Sequence, residues 1–235
     1  MTALVLQARL DSVRLPGKSM LPLGGRPLVF RVMEAFFNFN CDEKILACPE
    51  DSADAFAPLA SEAGFALFKG PKEDVLARYC LAARKCRADR VVRATADNPF
   101  VFIDAADCLN REAAALDADY AGFSCLPIGA GVEVVSSAAL FRAESGAGAP
   151  DEREHVCPYL YKHPELFRLH RPAAPAPWQA PGLSLTVDTE EDLKRAQLLY
   201  ERMLLLKPEE RNLGENIIAS ARVVFGYGDF MEQLP

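Results

Sequence analysis

The run Ala3–Gln7 (ALVLQ) is apolar at all but its last position and lacks the in-out alternation of a strand with one wet face. A strand of that kind is buried on both sides, in the middle of a parallel sheet. A polar stretch with Gly and Pro follows as far as Gly25. Pro27 then opens PLVFRVMEAFF, where Leu28, Val32 and Ala35 recur at helical spacing behind a proline in the first turn. The rhythm repeats, with strands expected at Lys44–Ala47, Ala66–Phe68 and Asp89–Ala94 and helices at Ser52–Ala63, Glu73–Cys86 and Asp104–Ala114. Regular alternation predicts an α/β fold of three layers, a mostly parallel sheet covered by helices on both faces. Ligands of such folds bind at the carboxyl ends of the strands.

Beyond Asp119 the pattern loosens. Gly131–Val135 (GVEVV) and Ser184–Val187 read as strands, while Pro172–Pro181 (PAAPAPWQAP) is unable to build regular structure. This half is expected to extend the same sheet in mixed orientation. A long amphipathic run, Glu190–Leu206, places Leu193, Ala196, Tyr200 and Met203 on one core-facing stripe. At 235 residues the chain fits one large α/β domain spanning 1–235.

Charge narrows the function. The formal net charge of -7 argues against a broad basic surface for nucleic acid, and no apolar run has the length to span a bilayer. No basic-then-apolar leader opens the sequence, so a cytoplasmic protein is expected. The seven cysteines include no C-x-x-C pair and read as reduced thiols, with Cys157, close to His155, better explained as a buried thiol than as a nucleophile.

The chemistry concentrates in the loop after the first strand, where Arg9, Arg14 and Lys18 flank a Pro-Gly turn in ARLDSVRLPGKS. Cations and free backbone N–H groups there suit a triphosphate, and Gly17 lets the backbone approach it. A solvated basic turn is the plainer reading of any one of these arginines; three cations at a strand's carboxyl end favour phosphate. Gly17-Lys18-Ser19 fails the P-loop pattern because Ser12 stands where Gly is required. Gly24-Gly25 and Gly129-Ala130-Gly131 fail G-x-G-x-x-G, and no zinc-type spacing occurs.

This loop resembles the signature of cytidylyltransferases that activate sugar acids, with the nearest likeness to the spore-coat-polysaccharide branch and more distant likeness to acylneuraminate cytidylyltransferases and CMP-Kdo synthetases. The matching stretches are Gln7–Lys18, Leu23–Val32, Glu73–Tyr79 (EDVLARY), Val92–Pro99 (VRATADNP), Gly131–Val135, Arg153–Tyr159 (REHVCPY) and Leu185–Leu193 (LTVDTEEDL). The resemblance implies a Rossmann-like fold of the nucleotide-diphospho-sugar transferase type and a homodimer. It also implies that Gln7, Ala8, Arg9, Ser12, Arg14, Gly17 and Lys18 meet the nucleotide, with Ala47 near the base and Arg78 reaching the nucleotide or sugar. Cys48-Pro49 and Asn98 depart from the family pattern.

Asp97 and Asp188 each follow an expected strand, so their carboxylates should emerge on the sheet edge that holds the loop. Two carboxylates and phosphate oxygens suit Mg²⁺, and the resemblance implies that ion on these two residues. Plainer roles exist: Asp97 as a turn residue in Asp-Asn-Pro, and Asp188 as a helix cap with Glu191, unless Thr189 caps instead. The resemblance implies acceptor contacts for Glu133, in an apolar strand, and for Glu154 and His155 at the expected start of a helix, although a charged stretch of this kind reads more plainly as solvated surface and Glu133 could face solvent; Arg93 either orients Asp97 or meets the acceptor. Arg78 has a second reading, a surface i,i+4 pair with Asp74.

The expected function is transfer of CMP from CTP to a sugar acid or related acceptor with release of pyrophosphate, with Arg9, Lys18, Asp97 and Asp188 as the catalytic set. A glycosyltransferase with a nucleotide-sugar donor is the alternative; it would normally carry Asp-x-Asp where this chain has Asp97-Asn98-Pro99. A non-catalytic nucleotide-binding module would need no paired carboxylate.

Overall fold

The computed structural model describes residues 1–226; residues 227–235, the end of the expected domain, lie outside the described residues. Four parallel strands form half of one sheet: β1 (Thr2–Gln7), β4 (Glu43–Pro49), β5 (Ala66–Gly70) and β6 (Arg90–Thr95). A two-residue hairpin, β2 (Pro22–Leu23) with β3 (Arg26–Pro27), sits in the loop after β1. β7 (Tyr120–Ala121), β8 (Glu133–Ser136) and β9 (Leu169–His170) complete a seven-stranded sheet of order β5-β4-β1-β6-β8-β7-β9, with β8 antiparallel to both neighbours. The mixed extension expected from the sequence is therefore present.

Burial on both faces explains the apolar run of β1. Leu4 and Leu6 point into one core with α1 (Leu28–Ala35), α2 (Ala53–Glu62) and α4 (Ile103–Ala115), while Ala3 and Val5 point into a second. That second core holds α3 (Val75–Cys86), α5 (Ser137–Gly146) and α7 (Pro158–Lys162), with Val156 and Cys157, which follow α6 (Pro150–His155). A third core joins α8 (Glu190–Met203) to α9 (Gly214–Phe225). Ala196, Leu199 and Met203 are the buried stripe of α8, with Leu193 and Tyr200 packed at its edge.

Three expectations need correction. Residues 184–187 form no strand; Ile128 and Leu185 exchange main-chain bonds with Leu183 and Ile128, and Val187 N–H donates to the Asp97 carbonyl at 2.9 Å. The pairing is too short and irregular to make a ladder, yet it fixes Asp188 beside Asp97. Glu154 and His155 lie at the end of α6, not at a helix start, because Pro150 opens the helix and Glu152 caps it by accepting from the Ala149 N–H. Val156, at φ 74°, ends it. Asp74 does not pair with Arg78: it accepts from the Ala77 N–H as the cap of α3 and meets Arg153 at 3.2 Å.

β1 lies between β4, which leads outward to β5, and β6, which begins the run in the opposite direction. The loops after β1 and β6 thus part at the switch point of the sheet, where an open α/β fold leaves a crevice.

Candidate active site

A cleft of about 430 Å³ opens at this switch point. Its walls include Gln7, Ala8, Arg9, Ser12, Arg14 and Lys18 from the β1 loop, Arg93, Asp97 and Asn98 from β6 and its loop, and Arg78, Glu154, His155 and Asp188 from farther along the chain. The sequence placed the β1 loop, Asp97 and Asp188 at one sheet edge; the fold brings these and the other residues, from Gln7 to Asp188, to one cavity. Gly17, Ala47 and Glu133 are absent from that lining. Gly17 adopts φ 67° at the turn into Lys18, a conformation that favours glycine, and Ala47 is buried with its carbonyl accepting from the Ala8 N–H at 3.1 Å.

The loop is folded on itself. Ser12 and Gly17 N–H groups both donate to the Leu10 carbonyl, Ser19 Oγ donates to the Arg9 carbonyl at 3.0 Å, and Leu10 N–H donates to Ser52 Oγ at 3.3 Å. The buried Ser19 was not singled out from the sequence; its place directly after Lys18 is its only signal there. These bonds turn Lys18 inward, where its ammonium donates at 2.8 Å to Asp97 Oδ2 and at 2.8 Å to Asp188 Oδ1. Arg14 meets the same Asp188 oxygen at 3.0 Å. Burial by itself would raise the Asp97 carboxyl, but the Lys18 ammonium, with a hydrogen bond from Thr95, outweighs it and holds the group below the ordinary range.

Asp188 is free for this contact because Thr189 takes over the capping of α8. Thr189 Oγ1 accepts from the Asp192 N–H at 3.2 Å while Asp192 Oδ2 accepts from the Thr189 N–H at 3.0 Å, a reciprocal capping box. Two carboxylates turned to one point are a donor set that could hold a divalent ion together with phosphate oxygens and water. Among the described residues no third carboxylate, His or Cys joins them.

Arg78 is 2% exposed, and its Nε and Nη1 have no hydrogen-bond partner; Nη2 donates to the Lys72 carbonyl at 3.3 Å. A buried guanidinium without a carboxylate is costly unless an anion arrives to meet it. Arg93 is compensated: Nη1 donates to Glu133 Oε2 at 2.6 Å and Nη2 to Gln7 Oε1 at 3.2 Å, and Tyr120 donates to the other Glu133 oxygen at 2.8 Å. Arg93, Glu133 and Tyr120 line an adjoining cavity of about 310 Å³ that shares Arg93, Thr95, Asn98 and Gly129 with the cleft. Tyr120 escaped the sequence reading because its strand has only two residues. Glu154 Oε1 lies 3.8 Å from Arg9, and His155 is an exposed wall residue. Burial pushes the Cys157 thiol well up, against a role as nucleophile.

A cytidylyltransferase family model matches residues 3–211. The spore coat polysaccharide biosynthesis protein SpsF of Bacillus subtilis (strain 168) is 32% identical over 205 residues, covering 84% of this chain and 85% of the relative. Among solved structures, a cytidylyltransferase from Leptospira borgpetersenii superimposes with a TM-score of 0.84 at 22% identity, covering 100% of this chain and 98% of the other. CMP:2-keto-3-deoxy-manno-octonic acid synthetase complexed with CTP gives 0.67 at 16% identity, over 85% of this chain and 98% of the other. With the sheet order, the switch-point cleft and the extent of these matches, the chain belongs to the cytidylyltransferase family.

Proposed function

We propose that the protein transfers CMP from CTP to a hydroxyl of a sugar acid or related acceptor, releasing pyrophosphate, in the synthesis of surface-polysaccharide or glycan precursors. The observation that carries this reading is the convergence of Asp97 and Asp188 on the Lys18 ammonium, at 2.8 Å each, inside the switch-point cleft. Phosphoryl-group transfer asks little covalent chemistry of a protein and much positioning and charge stabilisation.

The residues divide that work. Arg9, Arg14 and Lys18 neutralise the triphosphate, aided by main-chain N–H groups of a loop that already has its own turn bonds. Arg78 supplies a buried cation that lacks a partner until the nucleotide binds. Asp97 and Asp188 would hold Mg²⁺, which when bound lowers the cost of charge developing on the phosphate oxygens. The adjoining cavity beside Arg93, Glu133 and Tyr120 holds the acceptor, whose hydroxyl attacks the α-phosphorus in line with the departing pyrophosphate. A homodimer in the cytoplasm is part of this proposal.

The test is pyrophosphate release with CTP, UTP, ATP or GTP against a panel of acidic sugars that includes Kdo and N-acetylneuraminate. Release with CTP and one acceptor is expected, and Asp97→Asn should lower it by about 10²-fold or more while the variant stays folded at the assay temperature, as read by circular dichroism. Full activity of Asp97→Asn would overturn the assignment of the carboxylates.

A further inference from the structure

The cationic loop carries one residue of the wrong sign for a triphosphate. Asp11 lies between Arg9 and Arg14, with its Oδ1 4.0 Å from Arg9 Nε, so a free Asp11 carboxylate would compete with phosphate for Arg9 and repel it. It is kept out of the way. Asp11 Oδ2 meets Lys72 Nζ at 2.7 Å, and the same ammonium meets Asp51 Oδ2 at 2.7 Å. Neither Asp11 nor Lys72 lines the cleft, whereas Arg9, Ser12 and Arg14 on either side of Asp11 do.

Lys72 belongs to the segment between β5 and α3, and Asp51 follows β4, so one ammonium ties the β1 loop to the segments that follow β4 and β5. A second tie runs in parallel, from Leu10 N–H to Ser52 Oγ at 3.3 Å, and Ser52 Oγ donates to Asp51 Oδ1 at 3.0 Å. The Lys72 carbonyl accepts from Arg78 Nη2 at 3.3 Å, which connects the same residue to the buried guanidinium. The hydrogen bonds that it donates to the two carboxylates raise the Lys72 ammonium, so it stays charged throughout the working pH range.

We propose that Lys72 is a positioning residue for the nucleotide: by drawing Asp11 outward to Asp51, it keeps the triphosphate-facing side of the β1 loop free of negative charge. This rests on the reading of the cleft as the triphosphate site. The role is separable from folding, because it predicts that the harm done by losing Lys72 comes from Asp11 and disappears with it.

The experiment is calorimetric binding of CTP and of inorganic tripolyphosphate to wild type, Lys72→Met, Asp11→Asn and the double variant, at low and at 0.5 M salt. Lys72→Met should weaken both ligands by about fivefold to tenfold at low salt, with the difference shrinking at high salt. In the turnover assay KM for CTP should rise while kcat holds. Asp11→Asn should bind at least as well as wild type, and the double variant should recover wild-type affinity within about twofold. Equal affinity of wild type and Lys72→Met, including no binding by either, overturns the role, as does a double variant as weak as Lys72→Met. Tripolyphosphate binding without CTP binding by the wild type would instead refute the cytidylyl reading and leave Lys72 to be judged on tripolyphosphate.

Discussion

Replacing Lys18 by Met removes the ammonium that the cleft carboxylates Asp97 and Asp188 share and keeps most of the aliphatic stem. The two lost contacts are charge-assisted hydrogen bonds of 2.8 Å each, and Lys18 is 13% exposed against 31% for Asp97 and 23% for Asp188. Breaking a fully buried pair costs about 3–5 kcal/mol, and a single charged hydrogen bond about 1.5–3 kcal/mol. The site opens on solvent and Arg14 remains on Asp188, so a loss of about 2 kcal/mol at pH 7 is expected. The pH dependence follows from Asp97, whose carboxyl lies below its ordinary value in the folded protein. Its contribution is complete above the unfolded carboxylate value of about 4 and is lost as pH falls through the folded value. The deficit of Lys18→Met should therefore be full at pH 7 and should shrink below about pH 4. Urea denaturation followed by the single tryptophan, Trp178, measures it at both pH values. Millimolar Mg²⁺ should stabilise Lys18→Met more than wild type, because the ion takes the position that the ammonium held. A variant as stable as wild type at pH 7 would refute the reasoning. So would a deficit of the same size at pH 3.5, which would assign the loss to packing and not to charge.

Two further substitutions probe the arginines. Arg78→Met should leave stability unchanged or raise it by about 1 kcal/mol, since it removes an uncompensated buried cation, while weakening CTP binding by about tenfold or more; thermal unfolding with and without CTP separates the two effects, and unaltered binding would count against Arg78 as a nucleotide contact. Glu133→Gln strips Arg93 of its counter-charge and should cost about 2 kcal/mol by urea denaturation, with KM for the acceptor raised more than KM for CTP; a rise confined to CTP would place the adjoining cavity on the nucleotide side.

The parallel half of the fold was legible because its determinants are local and periodic. β1 is apolar on successive residues, which has meaning only for a strand covered on both faces, and each following strand and helix repeats the logic. The β1 loop was equally open to inspection, since three cations around a Pro-Gly turn after the first strand stand out in the sequence, and the fold places all three on the cleft wall. The second half resisted: β7 and β9 have two residues each, too few to show a period, and α9 went unassigned although Gly214–Phe225 is helical. Residues 184–187 looked like a strand because Leu185 and Val187 alternate into a core, but irregular backbone buries alternate residues too.

What the sequence by itself determined was the kind of residue at each sheet edge, because side-chain chemistry and strand order along the chain are both written there. Which of those residues meet was decided by tertiary structure alone. Asp188 was free to cap a helix or to face the cleft until Thr189 and Asp192 closed a capping box and released it. Arg78 was free to sit on the surface until Asp74 turned to Arg153 and the guanidinium was buried without a carboxylate, its Nε and Nη1 unpaired. Lys72 carried no signal at all, because a lysine in a loop acquires meaning only when Asp11 and Asp51, separated from it by 61 and 21 positions, are folded to within 2.7 Å of its ammonium. Charges act through space over a few ångströms, and sequence separation does not report that distance.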